Sequence, residues 1–261
     1  MAQVERRDSG GQIRKVTGKA GTFGAAILAA ACLLTQSCDA SSPLTFDDEF
    51  NGVRGTPPPA NWSYDIGNRG WGNHEVENYT SSRANSYLDG TGHLVIKAVR
   101  EPDGTWTSAR LVTLGHFSQT YGTFSARIKF PGGAGMWPAF WLLGDNGEAG
   151  GEIDISEEYG NPAWGESSAS VFSQHDSINR ATGDTHAGTG WHVWAVNWSP
   201  TSIEFLEDGK PLLTVKAFPG WPSGGMYMIL NLAVGGSGGG KVPASTKSAE
   251  MLVDWVRVSS E

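Results

Sequence analysis

The segment GTFSARIKF, at Gly122–Phe130, carries the clearest structural signal in the chain. Apolar and polar side chains alternate along it, and a period of two is typical of a strand that buries one face. The face predicted to be buried holds Phe124, Ala126, Ile128 and Phe130, and the other holds Ser125, Arg127 and Lys129. This segment therefore predicts a half-buried β-strand.

Other short segments between turns are also strand-like, and several of them alternate cleanly. They are His93–Val99, Trp191–Trp198, Ser202–Glu207, Met226–Ala233 and Met251–Val258. Ser202–Glu207 and Pro211–Val215, joined by Asp208-Gly209-Lys210, predict a hairpin, because Asp-Gly favours tight turns. Regularly spaced strands with turn signals predict an all-β fold, a sandwich or jelly roll of two antiparallel sheets packed face to face.

The N-terminus has a different pattern. Basic residues between Arg6 and Lys19 precede an uncharged, mostly apolar run at Gly21–Leu34, which is the order found in export signals. We predict a signal peptide over residues 1–38, a short linker over 39–43 and one folded domain over 44–261. Because Leu34–Cys38 resembles a bacterial lipoprotein signal, the mature protein is expected to be either secreted or anchored at the cell surface through Cys38.

Cysteine usage and charge narrow the function classes. Both cysteines, Cys32 and Cys38, lie in the leader, so the folded domain has no disulfide. The leader holds five of the 19 basic and two of the 27 acidic residues, which leaves a net charge of −11 on the rest. Nucleic-acid binding depends on Lys and Arg that neutralise phosphates, so an acidic domain argues against it. A neutral polysaccharide fits better.

The segment Gly151–Gly160, GEIDISEEYG, contains the pattern E-x-D-x-x-E. In a regular strand Glu152 and Asp154 point to the same face, whereas Glu157, five positions after Glu152, points to the other. One extra residue corrects this. We therefore predict a β-bulge at Ile155-Ser156 that returns Glu157 to the face of the other two, since bulges recur next to active sites.

The predicted spacing is compatible with glycoside hydrolysis. With the bulge, the two glutamates are four strand steps apart, roughly 13 Å between Cα atoms. Side chains leaning toward each other close that gap to roughly 5–6 Å, near the separation in retaining glycosidases. A solvated acidic strand or a calcium-binding edge are the alternatives. The preceding aromatic segment Met136–Trp141 favours catalysis, because sugar rings stack on aromatic surfaces.

The chain as a whole resembles glycoside hydrolase family 16, and specifically its laminarinase-like members, which hydrolyse β-1,3-glucans. The resemblance runs from Phe46 to Val258. Its landmarks are Asp48–Gly52, Gly70–Glu75, Tyr79-Thr80, Ser108–Arg110, Tyr121–Arg127, Trp137–Trp141, the acidic segment, Trp191-His192, Trp198–Pro200 and Leu230–Gly236.

The resemblance implies a β-jelly roll with a carbohydrate cleft on its concave face, and a retaining endo-hydrolase acting by double displacement on laminarin-like β-1,3-glucan. Glu152 matches the nucleophile, Asp154 the assisting aspartate and Glu157 the acid/base. Glu157 matches rather than Glu158, because bulged members have two residues between the aspartate and the acid/base. Residues 44–261 would then be the catalytic domain. The matching sugar-binding residues are Asn73, Arg110, Trp137, Trp141 and His175.

No cofactor is required for this chemistry, but family members often bind a structural calcium ion on the convex face. Glu49 and Asp254, with backbone carbonyls, are the matching ligands, and hard oxygen ligands suit calcium. The expected partner is a polysaccharide, with no nucleic acid and no protein partner, and the protein is expected to be a monomer.

Three alternatives remain open. One is another substrate of the same family, either mixed-linkage β-glucan or a galactan. The bulged pattern argues against the lichenase type, which usually lacks the extra residue. Another is transglycosylation, in which a sugar takes the place of water. The third is a non-catalytic carbohydrate-binding sandwich, since fold does not fix function; it predicts the loss of a catalytic carboxylate.

Overall fold

The computed structural model describes residues 42–161, 167–173 and 190–260. This part of the chain consists almost entirely of strands joined by turns. In chain order they are β1 (Leu44–Asp48), β2 (Ser63–Tyr64), β3 (Glu77–Tyr79), β4 (Ser86–Leu88), β5 (Leu94–Arg100), β6 (Trp106–Ser108), β7 (Arg110–Val112), β8 (Gly122–Lys129), β9 (Met136–Gly144), β10 (Glu152–Glu158), β11 (Ser167–Phe172), β12 (His192–Trp198), β13 (Ser202–Glu207), β14 (Lys210–Lys216), β15 (Met226–Val234) and β16 (Ser248–Ser259).

Helical structure is confined to short turns in the described residues. Two 3₁₀ turns cover Gly70–Gly72 and Gly147–Gly150, and one α-helical turn, α1, covers Gly236–Gly239. None of the described helices is long and apolar enough to cross a membrane. The predicted leader, residues 1–38, lies outside the described residues.

The strands form two sheets, as the alternation predicts. The larger sheet has the order β14-β13-β12-β8-β16-β5-β6-β3, with β1 added beside β16 and β4 beside β5. The smaller sheet has the order β11-β10-β9-β15-β7-β2. Neighbouring described strands pair antiparallel, except for β3 and β6, which pair parallel. The predicted all-β sandwich is confirmed, and this parallel pair at one edge is the departure from it.

The central strand β8 follows the predicted alternation. Phe124, Ala126 and Ile128 are fully buried, while the residues between them are partly exposed. They join one large core with residues of the facing sheet such as Phe140 and Leu142 of β9. The two sheets therefore pack face to face through the period-2 apolar rows.

The predicted hairpin is present between β13 and β14. Asp208 has φ 49° and Gly209 has φ 74°, which are the positive values required by a two-residue type I′ turn. Lys210, which the sequence analysis placed in the turn, is the first residue of β14 and pairs with Glu207.

Strands β9, β10 and β15 are central to the smaller sheet and are buried along nearly their whole length. One face of each strand enters the core between the sheets, as Leu142, Ile153 and Leu230 show. The opposite face lines a concave cleft, where Trp141 and Asn231 lie. All of the described strands belong to one compact unit, Ser41–Glu261.

Candidate active site

Strand β10 contains a bulge at the predicted position. Asp154 pairs with Trp141 of β9, and Ser156 pairs with the adjacent residue of that antiparallel strand, Phe140. Strand β10 therefore has one residue more than β9 between these two pairs. The same irregularity appears against β11, between Asp154 and Glu157. The extra residue is Ile155, whose side chain is buried in the core.

The bulge brings the three carboxylates to one side of the sheet. Glu152, Asp154 and Glu157 all line the cleft, whereas Ile153 and Ile155 both face the core. Glu152 pairs with Leu143 of β9 and Glu157 with Ala139, four positions apart. The predicted separation of four strand steps is therefore present, although five positions separate the glutamates in sequence.

The cleft has a volume of about 760 Å³ and is lined by both polar and aromatic side chains. Its floor is the outer face of β9, β10 and β15, and its rim includes the turn at Gly70–Gly72. The lining residues are Trp71, Gly72, Asn73, Glu75, Arg110, Trp137, Ala139, Trp141, Leu143, Glu148, Glu152, Asp154, Glu157, Phe172, Ser173, Asn231 and Ala233.

Glu157 is held by donors from three directions. Trp137 Nε1 donates to its Oε1 over 2.9 Å. The Tyr159 hydroxyl donates to Oε2 over 2.7 Å, and Ser168 Oγ lies 3.1 Å from the same oxygen. Burial and the nearby charge of Glu157 raise the pKa of Tyr159, so its hydroxyl keeps its proton. These contacts fix the orientation of the Glu157 carboxyl group.

Glu152 lies in a different environment. Burial, followed by the charge of Glu157, raises its pKa to about 7, whereas the charge of Arg110 and a hydrogen bond with Asp154 lower it. Because the two glutamates influence each other, their titrations are those of a pair. The cleft therefore retains a proton on this pair up to about neutral pH.

Arg110 lies between two tryptophans of the cleft. Its guanidinium carbon is 4.7 Å from the ring centroid of Trp71 and 4.7 Å from that of Trp141. Its Nε donates to Asp65 over 3.1 Å. Cation–π contacts on two rings and this ion pair hold the side chain in place, so Arg110 presents a fixed positive charge to the Glu152 side of the cleft.

Asn73 and Trp71 belong to the glycine-rich turn at the rim. Trp71 has φ 47°, a left-handed conformation that is costly for a bulky residue and tends to persist at functional sites. Its ring contacts Tyr79 with 5.4 Å between centroids. The backbone carbonyl of Asn73 accepts a hydrogen bond from Ser237 N over 2.9 Å, which fastens the rim to α1.

Of the five predicted sugar-binding residues, Asn73, Arg110, Trp137 and Trp141 line the cleft together with the three carboxylates. His175 lies outside the described residues.

The predicted calcium ligands, Glu49 and Asp254, lie away from the cleft, and each contacts an arginine. Arg257 Nε donates to Glu49 over 3.0 Å, and Arg127 donates to Asp254 over 2.6 Å. A calcium ion bound by either carboxylate would compete with the guanidinium group that already contacts it. The calcium site therefore stays a prediction.

Sequence reasoning assigned no role to several cleft residues. Trp71 and Glu75 were part of a landmark only, and Asn231 was part of a predicted strand. Asn231 Oδ1 accepts a hydrogen bond from Trp141 Nε1 over 2.8 Å. A signal for it was present, because Asn231 is the only hydrogen-bonding amide side chain in the otherwise apolar segment MYMILNLAV, and buried polar groups need partners.

The fold and the site together define a glycosidase, a two-sheet sandwich with paired carboxylates in an aromatic-lined cleft. Residues 72–257 match the model of Glycosyl hydrolases family 16. A β-glucanase of Rhodothermus marinus is 36% identical over 244 residues, covering 82% of this chain and 84% of that protein. The chain belongs to glycosyl hydrolases family 16, and the resemblance stated from the landmarks is confirmed.

Two solved structures show the same architecture. The laminarinase from Rhodothermus marinus has a TM-score of 0.73 and 35% identity, covering 84% of this chain and 98% of that one. An immunostimulatory antigen and pseudo β-1,3-glucanase of Mycobacterium tuberculosis also has a TM-score of 0.73 and 35% identity, covering 84% of this chain and 99% of that one. A laminarinase and a pseudo β-1,3-glucanase thus share this fold.

Proposed function

We propose that this protein is a retaining endo-β-1,3-glucanase that cleaves laminarin-like β-glucans by double displacement. The observation that carries the proposal is the bulge in β10, which places Glu152, Asp154 and Glu157 on one side of the strand in an aromatic-lined cleft.

In the first proposed step, the Glu152 carboxylate attacks the anomeric carbon while the bond from that carbon to the leaving oxygen breaks. Glu157 gives its proton to that oxygen. The donors from Trp137 and Tyr159 hold Glu157 in position for this transfer. The products are a glycosyl ester on Glu152 and a free sugar hydroxyl.

In the second step, Glu157 takes a proton from water and the resulting hydroxide attacks the anomeric carbon, which releases Glu152 as a carboxylate. Two inversions retain the anomeric configuration. Asp154 hydrogen-bonds to Glu152 and, together with Arg110, favours its ionised form. Glu152 must be ionised for attack, so the single proton of the pair has to lie on Glu157 when the reaction begins.

The charge of the cleft favours a neutral substrate. Five carboxyl groups line its described part, Glu75, Glu148, Glu152, Asp154 and Glu157, against the single guanidinium of Arg110. Sulfated or uronic-acid polysaccharides would be repelled by this excess, whereas a neutral glucan would not. Trp137 and Trp141 supply apolar surface for sugar rings.

The test is product analysis on laminarin, lichenan and agarose with the wild type and with Glu152→Gln and Glu157→Gln. We expect wild-type activity to be highest on laminarin, with the β-anomer as first product and a range of oligosaccharides early in the reaction. Both variants should lose at least about 1000-fold in kcat, since they lack a group essential to one step. Full activity of Glu152→Gln would refute the nucleophile assignment.

A second candidate is a non-catalytic β-glucan-binding protein, which the pseudo β-1,3-glucanase among the structural relatives makes worth testing. Both glutamates and their supporting donors are present here, which favours catalysis. Laminarin binding by the wild type, with no release of reducing ends, would support this candidate instead. Higher activity on lichenan or agarose would indicate one of the other family substrates.

Export is proposed from the leader alone. Secretion predicts activity in the culture medium, and a lipid on Cys38 predicts activity in the membrane fraction that Cys38→Ala moves to the medium. We also propose a monomer that needs no protein partner, which sedimentation of the purified protein would test.

A further inference from the structure

A pair of glutamates, one partly exposed to the cleft and one buried behind it, takes no part in the mechanism above. Glu77 in β3 is 1% exposed, and its Oε2 accepts the Val234 backbone N–H over 2.6 Å. Its other oxygen, Oε1, has no hydrogen-bond donor among the described residues when both glutamates are ionised. Glu75, two residues earlier, lines the cleft and is the side-chain partner of Glu77.

A proton on Glu77 resolves this arrangement. Two ionised carboxylates in contact repel each other, the more so when one of them is buried, and a buried oxygen without a donor is costly. Protonated Glu77 can donate from Oε1 to Glu75, which removes both penalties. Burial, followed by the charge of Glu75, raises the pKa of Glu77 to about 9.

Few other charged groups act on this pair. Tyr79 lies on the same strand, and burial and the two glutamates raise its pKa, so it stays neutral. Arg110 of β7 acts on Tyr79 and partly offsets that effect. The neighbouring strand β6, Trp106–Ser108, contains no charged residue.

Glu75 is also the end of a hydrogen-bonded chain that reaches the catalytic strand. The Tyr79 hydroxyl donates to Glu75 Oε2 over 3.0 Å and accepts from Asn231 Nδ2 over 3.1 Å. Asn231 Oδ1 accepts from Trp141 Nε1 over 2.8 Å. Trp141 pairs with Asp154 across the β9–β10 ladder. The orientation of Glu75 is thus linked to that of a cleft tryptophan.

The backbone of Glu75 is fixed as well. Its N–H donates to Gly70 O over 3.2 Å, and the residue forms a bridge with Gly235. A carboxylate that is held by its backbone, by Tyr79 and by Glu77 has little freedom to turn away. Because Glu75 lines the cleft, it lies on the surface that a bound ligand would contact.

We propose that Glu75 is a substrate-binding residue that accepts hydrogen bonds from hydroxyl groups of a neutral sugar, and that protonated Glu77 is the positioning residue that keeps it ionised and oriented. This rests on the proposed function, because the sugar is that of the β-glucan in the same cleft. Charge-assisted bonds to a fixed carboxylate are stronger than neutral ones and add geometric selectivity.

The kinetic test compares Glu75→Gln and Glu77→Gln in the full chain, with laminarin and laminarihexaose as substrates. A glutamine at position 77 can donate to Glu75 and accept from Val234, as the protonated acid does. We therefore expect Glu77→Gln to keep KM within about threefold of wild type, and Glu75→Gln to raise KM roughly 10-fold or more with a smaller change in kcat. Unchanged KM in Glu75→Gln, or an equal rise in both variants, would overturn the proposal.

A second test needs no substrate. Folded Glu77 keeps its proton up to about pH 9, whereas the unfolded chain loses it near the ordinary value of 4.5. The stability that this proton provides is complete below pH 4.5 and is lost as pH rises toward 9. The thermal midpoint of wild type should fall between pH 5 and 9, and Glu77→Gln should remove most of that decline.

Glu250→Gln is the matched control, because Glu250 is exposed and forms a surface ion pair with Lys97. Its pH profile should run parallel to that of wild type. A Glu77→Gln profile that also runs parallel would refute the protonation of Glu77. If wild type hydrolyses no β-glucan, the proposed function fails, whereas the thermal profile still decides whether Glu77 is protonated.

Discussion

Gly238 in α1 offers a way to disturb catalysis without replacing any of the residues that line the cleft. A Cβ at this position would lie 2.4 Å from two ring atoms of Trp137 and 2.8 Å from a third. Gly238 has no positive φ, so alanine is compatible with its backbone. The substitution Gly238→Ala therefore acts through the tryptophan that donates to Glu157.

The magnitude follows from the contact distance. Carbon atoms normally approach to about 3.5–4.0 Å, so the indole must move by about 1 Å or more. Such a shift breaks the 2.9 Å bond from Trp137 Nε1 to Glu157 Oε1. A hydrogen bond to a charged group contributes about 1.5–3 kcal/mol, which corresponds to roughly 10–150-fold in rate. Overpacking should also cost about 1–3 kcal/mol of stability.

The assay is kcat/KM on laminarin, with urea unfolding to report stability. Gly224→Ala is the matched control, because a Cβ at Gly224 meets nothing within 4 Å and its φ is not positive. We expect Gly224→Ala to have the kcat/KM of wild type, and we expect kcat/KM of Gly238→Ala to be lower by roughly 100-fold. In the Trp137→Phe background, Gly238→Ala should lower kcat/KM little further, because the smaller phenyl ring leaves room for the alanine Cβ. A loss below about threefold in folded Gly238→Ala would refute the reasoning.

The remaining predictions concern pH, support of the acid and metal binding. Above about pH 7, the Glu152–Glu157 pair loses the proton needed by the leaving oxygen, so kcat/KM should fall there; a rise from pH 7 to 8.5 would contradict this. Tyr159→Phe removes the 2.7 Å bond to Glu157 and should lower kcat/KM roughly 10–150-fold in steady-state assays, with KM little changed. Saturating calcium should raise the thermal midpoint of wild type but not that of Asp254→Asn. No rise in wild type would contradict the predicted calcium site.

The fold could be predicted where strands bury one face. β8 shows this, because Phe124, Ala126 and Ile128 alternate with polar residues and the alternation alone places them in the core. The sequence analysis did not identify β9, Met136–Gly144, as a strand, since both of its faces are covered. Trp137 and Trp141 line the cleft while Phe140 faces the core, so the segment reads as continuously apolar.

The position of the carboxylates was predictable, because strand parity demands an extra residue between Glu152 and Glu157. The partners of these groups were not. Tyr159 and Ser168 reach Glu157 from a neighbouring loop and strand, and nothing in their local sequence indicates that contact. Glu77 was missed because a single glutamate in a short strand is usually exposed, and its burial depends on the distant strand β15.

The bulge in β10 also has a consequence for insertions and deletions. The distance between the two glutamates is set by the four steps from Leu143 to Ala139 on β9. It is not set by the number of residues that separate them along β10. Loss of Ile155 would give a flat strand on which Glu152 and Glu157 still share a face at the same four steps. A flat strand with one residue gained would set them six steps apart, roughly 20 Å. Deletion of one residue at this point therefore preserves the catalytic geometry, whereas insertion of one residue does not.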